Sequence, residues 1–283
     1  MNVKRKRLLW AAALAVITIL LGSWAFWLEP ASLTVVEERV DLPWSATGRL
    51  RIAVLTDLHV GSPFNGMDKL RRVVERTNET RPDIICILGD LLSNGPRGAR
   101  SERPGFITPE QVAPELARLR APVGVFGVLG NHDAWLDHDR IASVLEKNGI
   151  QLLEDKAMRL DTPAGPVFLA GVSDYWTRKH DVAAAMSIVD DDTTPVIVIT
   201  HNPDVFPEIP ARVSITLAGH THGGQVRLPF IGAPVIPSQF GVRFAAGHIV
   251  EQGRHLYVST GIGTSIIPVR FRVPPVITVL TLE

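Results

Sequence analysis

The segment DIICILGD, residues 83–90, is a run of apolar and β-branched residues that ends in a carboxylate. Consecutive apolar residues from Ile84 to Leu88 suit a strand buried on both faces. Asp90 at the tip of such a strand needs a partner, because a lone buried carboxylate is expensive. The same arrangement recurs along the chain. AVLTDLH ends in Asp57 and His59, and GVLGNHD in Asn131, His132 and Asp133. VIVITHN ends in His201, and TLAGHTHGG in His220 and His222. Five apolar strands therefore deliver metal-ligand groups at their C-terminal ends, where open α/β sheets place what they bind.

The intervening segments are helical in pattern. MDKLRRVVERTNET, residues 67–80, carries Leu70, Val73 and Val74 on one face. TPEQVAPELARLR, residues 108–120, opens on a Thr cap, and Pro114 predicts a break inside it. DHDRIASVLEKNG, residues 137–149, stops at Gly149. The second half is strand-dominated, with PVFLAGV, SITLAG, HIVEQGRHLYVST and PPVITVLTL each read as one strand. LTVVEERVDL, residues 33–42, reads as a first edge strand, and the Pro-rich apolar stretch Leu228–Phe244 as a loop. Alternation first and strands later predict an α/β sandwich with mixed sheets and helices outside.

Composition narrows the function. The chain has 283 residues and no net charge, with 29 basic against 29 acidic side chains, so no nucleic-acid partner is expected. Its one cysteine, Cys86, excludes an intrachain disulfide and a Cys-based zinc motif. The N-terminus pairs a basic cluster, MNVKRKR, with 21 uncharged residues from Leu8 to Leu28. As a helix that run spans roughly 30 Å, the thickness of a bilayer core. It exceeds a signal-peptide apolar region and lacks a small-residue cleavage pattern. The expectation is a cytoplasmic segment 1–7, a signal-anchor helix 8–28, a linker and possible edge strand 29–49, and a catalytic domain 50–283. The basic cluster stays inside, so the domain lies at the cell membrane on the extracytoplasmic side.

Imidazole and carboxylate ligands without thiolate suit Zn, Mn or Fe in a reactive site. The ligands are too many for one tetrahedral ion, but two ions sharing a bridging carboxylate would use them all. Two such ions clamp a phosphoryl group and generate hydroxide at neutral pH. Alternation in H-T-H predicts both imidazoles on one side, gripping one centre. His132 is left to donate a proton to the leaving oxygen, with Asp133 orienting its ring. Asp174 and Tyr175 are read as turn residues, and Arg270 and Arg272 as solvated or salt-bridged surface.

Together, TDLH, GD, GNHD, TH and GHTH resemble the calcineurin-like metallophosphoesterase superfamily over roughly residues 50–225. The resemblance implies a four-layer αββα sandwich with two mixed sheets. It implies one metal on Asp57, His59, Asp90 and His222, and a second on Asp90, Asn131, His201 and His220, with His132 catalytic. GSPF, GHTHGGQVRLP and the C-terminal STGIGTSIIPVRFRVPPVITVLTL are similar to the YkuE/YaeI-like membrane-associated phosphodiesterases. That implies a phosphodiester or pyrophosphate substrate, with a lipid-linked one in view, since some relatives cleave UDP-2,3-diacylglucosamine. The protein-phosphatase signatures GDxVDRG and GNHE are replaced here by GDLLSNG and GNHDAW. A scaffold that kept the fold and lost the chemistry would show degraded ligands, and none is degraded.

Overall fold

A computed structural model describes residues 3–44, 48–93, 106–191 and 193–283. Residues 1–2 of the basic segment, 45–47 of the linker, and Asn94 and Gly95 of GDLLSNG lie outside them. The strands are β1 (Thr34–Val40), β2 (Leu50–Leu55), β3 (Ile84–Leu88), β4 (Gly124–Val128), β5 (Gln151–Leu152) and β6 (Lys156–Thr162). They continue with β7 (Gly165–Val172), β8 (Val196–Thr200), β9 (Ile215–Ala218), β10 (Gly247–Glu251), β11 (Arg254–Val258) and β12 (Val276–Leu282). One sheet has the order β1-β12-β2-β3-β4-β5, the other β10-β11-β9-β8-β7-β6. Both are mixed. β12 runs antiparallel to β2 in the first, and β6–β7 and β10–β11 are antiparallel in the second.

Alternation along β3 shows how the layers form. Ile85 and Ile87 face the helices Met67–Glu79, Pro109–Leu116 and Asn131–Lys147, while Ile84, Cys86 and Leu88 face the second sheet. β8 divides likewise, with Ile197 and Ile199 between the sheets and Val196 and Val198 on the outer side. Each such buried side chain stabilises by about 1.5–3 kcal/mol. The αββα sandwich therefore follows from strands that are apolar on both faces, as expected.

Four local expectations are corrected. HIVEQGRHLYVST is a hairpin, because Gln252 and Gly253 take φ 53° and 75° and turn the chain between β10 and β11. Pro114 sits inside one unbroken helix, Pro109–Leu116. The bond it forfeits is to the carbonyl of exposed Glu110, which water can satisfy. The helix expected from Asp137 begins at Asn131 and carries a kink at Asp137. β5 and β6 escape the sequence because both lie at sheet edges and are only partly apolar.

The N-terminal helix is long and apolar enough to cross a membrane and is almost wholly exposed. Its end is pinned to the sandwich. The Arg270 N–H donates to the Ala25 carbonyl at 2.9 Å, and the Val273 N–H to Glu29 Oε1 at 2.5 Å. Lys69 Nζ donates to the Pro30 carbonyl at 2.7 Å. Residues 29–31 are thus helical and docked on the sandwich. Burial, with help from the Arg270 and Arg72 charges, pushes the Lys69 amine down to about 7.

Candidate metal centre

The loops that follow β2, β3, β4, β8 and β9 meet at one edge of the sandwich. Those after β2 and β3 are zipped together, with Asp57 N–H on the Gly89 carbonyl (3.0 Å) and His59 N–H on the Asp90 carbonyl (2.9 Å). Asp57, His59, Asp90, His220 and His222 all take positive φ, between 41° and 68°. That region is unfavourable for residues with a Cβ, so the fold holds these side chains at a cost. Gly130 and Gly219 are required by close approach. A Cβ on Gly130 would strike Asp90 and His201, and one on Gly219 would strike Thr56 and Asp57.

The side chains form two groups joined by Asp90. In the first, His222 Nε2 lies 3.3 Å from Asp57 Oδ1 and 3.2 Å from His59 Nε2. In the second, His201 Nε2 lies 3.1 Å from both Asn131 Oδ1 and His220 Nδ1. Asp90 Oδ2 stands between them, 3.5 Å from His59 Nε2 and 3.4 Å from His201 Nε2. Asp90 Oδ1 accepts the His132 N–H at 2.8 Å. His201 Nδ1 donates to the Leu88 carbonyl at 2.6 Å, which fixes the tautomer and turns Nε2 inward.

This donor set fits divalent cations. Asp57 Oδ1 and His222 Nδ1 are buried with no hydrogen-bond partner. Two pairs of imidazole nitrogens face each other, and at most one proton can lie within each pair. Burial pushes His59 and His220 down to about 3 and holds His222 well below its ordinary value, so all three present lone pairs at neutral pH. Burial also pushes Asp57 up to about 6. For Asp90, burial opposes ionisation, but the charge and hydrogen bond of His201 outweigh it and hold the carboxyl well below 3.8. His201 rises correspondingly, against its own burial, through Asp90 first and then Asp57.

Four residues do other work than expected. Asp133 does not touch the His132 ring. Its oxygens accept the backbone N–H groups of Asp90 (2.7 Å), Leu91 (2.9 Å) and Gly130 (3.0 Å), tying the loops after β3 and β4 together. Burial and then the Asp90 charge push Asp133 up to about 7. The segment H-T-H is not extended, because His220 and His222 both take positive φ. The turn sends His220 to His201 and His222 to His59, so the two imidazoles serve different groups. Arg270 is fully buried rather than solvated, and donates to the carbonyls of Thr260, Gly261, Gly263 and Val273. Burial lowers it to about 10, so it remains charged.

The ring of His132 meets His59 edge-on at 4.7 Å, and its Nε2 lies 3.2 Å from Ser265 Oγ. Burial lowers its pKa below 6.5. Exposed Trp135 packs on His132 at 5.0 Å, and Trp176 meets His220 at 4.3 Å. Asp174 caps the turn that sets Trp176, accepting from the N–H groups of Trp176 and Thr177. Sequence reasoning missed Ser265, Trp135 and Trp176: Trp135 lies in GNHDAW and Ser265 in the C-terminal stretch, but neither is a metal-ligand type, and Ser265 reaches His132 only through the fold.

A two-sheet sandwich with paired His/Asp groups on its strand ends defines a metallophosphoesterase. The calcineurin-like phosphoesterase family model matches residues 50–224, and the chain belongs to that family. It is similar to the uncharacterized metallophosphoesterase YkuE of Bacillus subtilis, at 28% identity over 92% of this chain and 89% of that one. It is 28% identical to the phosphodiesterase YaeI of Escherichia coli over 99% of both chains. A zebrafish (Danio rerio) transmembrane protein with a metallophosphoesterase domain is 29% identical over 86% of this chain and 55% of its own.

Proposed function

We propose that this metal-dependent phosphoesterase is a membrane-anchored hydrolase of phosphodiester or pyrophosphate bonds that uses two divalent ions, Mn, Zn or Fe. The observation that carries the reading is Asp90 Oδ2 standing within 3.5 Å of a histidine from each of two ligand groups. Asp57, His59, Asp90 and His222 would hold one ion, and Asp90, Asn131, His201 and His220 the other. When bound, such a pair supplies Lewis acidity that activates water and neutralises phosphoryl charge. His132 lies at the rim of the first group, where its Nε2 can give a hydrogen bond or proton to the leaving oxygen. Ser265 holds that nitrogen in place. Asp133 acts one step back, by fixing the Asp90 and Gly130 backbone.

The name of the Escherichia coli relative supports the diester class. The exposed apolar helix supports an anchor over residues 8–28, with residues 1–7 cytoplasmic and the domain 50–283 outside. The test is the full chain loaded with Mn or Zn, assayed on bis-p-nitrophenyl phosphate against p-nitrophenyl phosphate. Metal-dependent diester cleavage that collapses in His132→Ala is the expected result. Two bound metals per chain without turnover of any phosphoester would overturn it in favour of a non-catalytic scaffold.

A further inference from the structure

Large apolar side chains stand exposed at three loop tips: Phe64, Phe230 with Ile231, and Ile266 with Ile267. Phe230 and Ile266 are 108% and 92% exposed, as free of contact as side chains can be. Phe64, Phe230 and Ile266 also take φ 62°, 65° and 64°. Glycine or asparagine ordinarily fills such positions, and an aromatic or β-branched residue there is strained. Among the described residues no ring packs on Phe230, and Phe64 alone meets one, that of Trp27.

The tips are neighbours. Phe271 N–H donates to the Gln225 carbonyl and Arg227 N–H to the Phe271 carbonyl, both at 2.8 Å, so the loops bearing Phe230 and Ile266 run side by side. Ser265 N–H donates to Gln225 Oε1 at 2.8 Å. Leu228 and Gly232 bond each other's backbone and leave Phe230 at the point of a tight turn. The same layer holds the end of the apolar helix, through Arg270 N–H on the Ala25 carbonyl and through Trp27 stacked on Phe64 at 6.4 Å. Exposed Arg227 and Arg272 lie in the paired loops, and neither guanidinium has an ion pair among the described residues.

We propose that these tips form a second membrane contact, inserting Phe64, Phe230 and Ile266 into the leaflet from which the helix emerges, with Arg227 and Arg272 on headgroup phosphates. The proposal rests on the anchor reading above. Continuity with the helix selects a bilayer as the occupant, because a surface that starts at the helix exit meets lipid first. Apolar burial of about 1.5–3 kcal/mol per side chain offsets the backbone strain. Ser265 joins Ile266 to His132, so the rim and the metal centre share one segment. The centre then opens beside the headgroup layer.

The test uses the full chain in vesicles of phosphatidylglycerol and phosphatidylethanolamine. Its one native cysteine, Cys86, is fully buried, so a label goes to an introduced cysteine. Phe230→Cys and Ile266→Cys report the rim. Lys147→Cys is the control, exposed at the far end of the helix that starts beside the centre. An environment-sensitive fluorophore at residues 230 and 266 should shift to the blue and lose at least half its emission to spin-labelled lipids, with residue 147 unaffected. Quenching at the tips no greater than at residue 147 overturns the proposal. A blue shift without lipid quenching also overturns it, since a protein then covers the tips. Chain released by alkaline carbonate overturns the anchor reading and this contact with it. Diester turnover on the same samples keeps the catalytic reading separate: quenched tips without turnover would count against hydrolysis and leave the rim standing.

Discussion

The backbone N–H of Asp90 donates to Oδ2 of Asp133 at 2.7 Å, so one buried carboxylate fixes the main chain of another. Leu91 and Gly130 complete the set of donors around Asp133. Asp133→Asn turns an amide NH2 toward N–H groups that need an acceptor. At least one bond is lost and a buried donor left unsatisfied, a loss of about 1–3 kcal/mol. Urea unfolding should show a lower midpoint with an unchanged slope. The pH profile of remaining activity should keep its shape, because Asp133 does not contact the His132 ring. A displaced profile at unchanged stability would restore Asp133 as the orienting group.

Among the described residues, Asp90 is the carboxylate whose side chain stands within 3.5 Å of an imidazole nitrogen from each group. Asp90→Asn should therefore lower bound metal from two per chain to less than one, measured by elemental analysis after dialysis. His222→Gln removes a ligand from one group alone and should leave about one metal. Equal stoichiometry in the two variants would mean that Asp90 does not bridge.

His132 has its backbone, not its ring, tied to Asp90. His132→Ala should keep both metals and lower kcat on bis-p-nitrophenyl phosphate by about 10²–10⁴, the usual range for removing a general acid or base. Loss of metal in parallel with activity would make it a ligand instead.

Lys69 gives a pH signature of folding. Its ordinary value of 10.5 falls to about 7 in the folded chain, mainly by burial. Between those values the unfolded state binds a proton that the folded state does not, so stability rises with pH across the window from about 7 to 10.5. Below about 7 the full cost of burying the charge is present. The shift corresponds to at most about 5 kcal/mol across the window. Thermal unfolding of the metal-free chain from pH 6.5 to 9.5 should climb, and Lys69→Met should flatten the climb. An unchanged slope in the variant would assign the effect to another group.

Much of the site was legible because strand structure is local. Continuous apolar runs announce strands buried on both faces, and Asp57, His59, Asp90, Asn131, His201, His220 and His222 each follow such a run within four residues. In an α/β fold the C-terminal ends of neighbouring parallel strands lie side by side, so groups placed there converge. The family pattern in the sequence and the two groups in the structure coincide for that reason.

What the sequence by itself determined was the α/β class, the αββα layering and the identity of the groups that meet. Where each group points was decided by the tertiary structure. Period-two reasoning placed His220 and His222 on one side, but positive φ at both sends them apart, because the handedness of a turn is not written in alternation. Asp133 follows His132 in sequence yet serves the Asp90, Leu91 and Gly130 backbone, and Arg270 looks like surface but fills a cage of carbonyls. Ser265 meets His132 across 133 residues of chain. Such partners are chosen by which loops the packed sheets bring within hydrogen-bond distance, and short-range pattern carries no record of that.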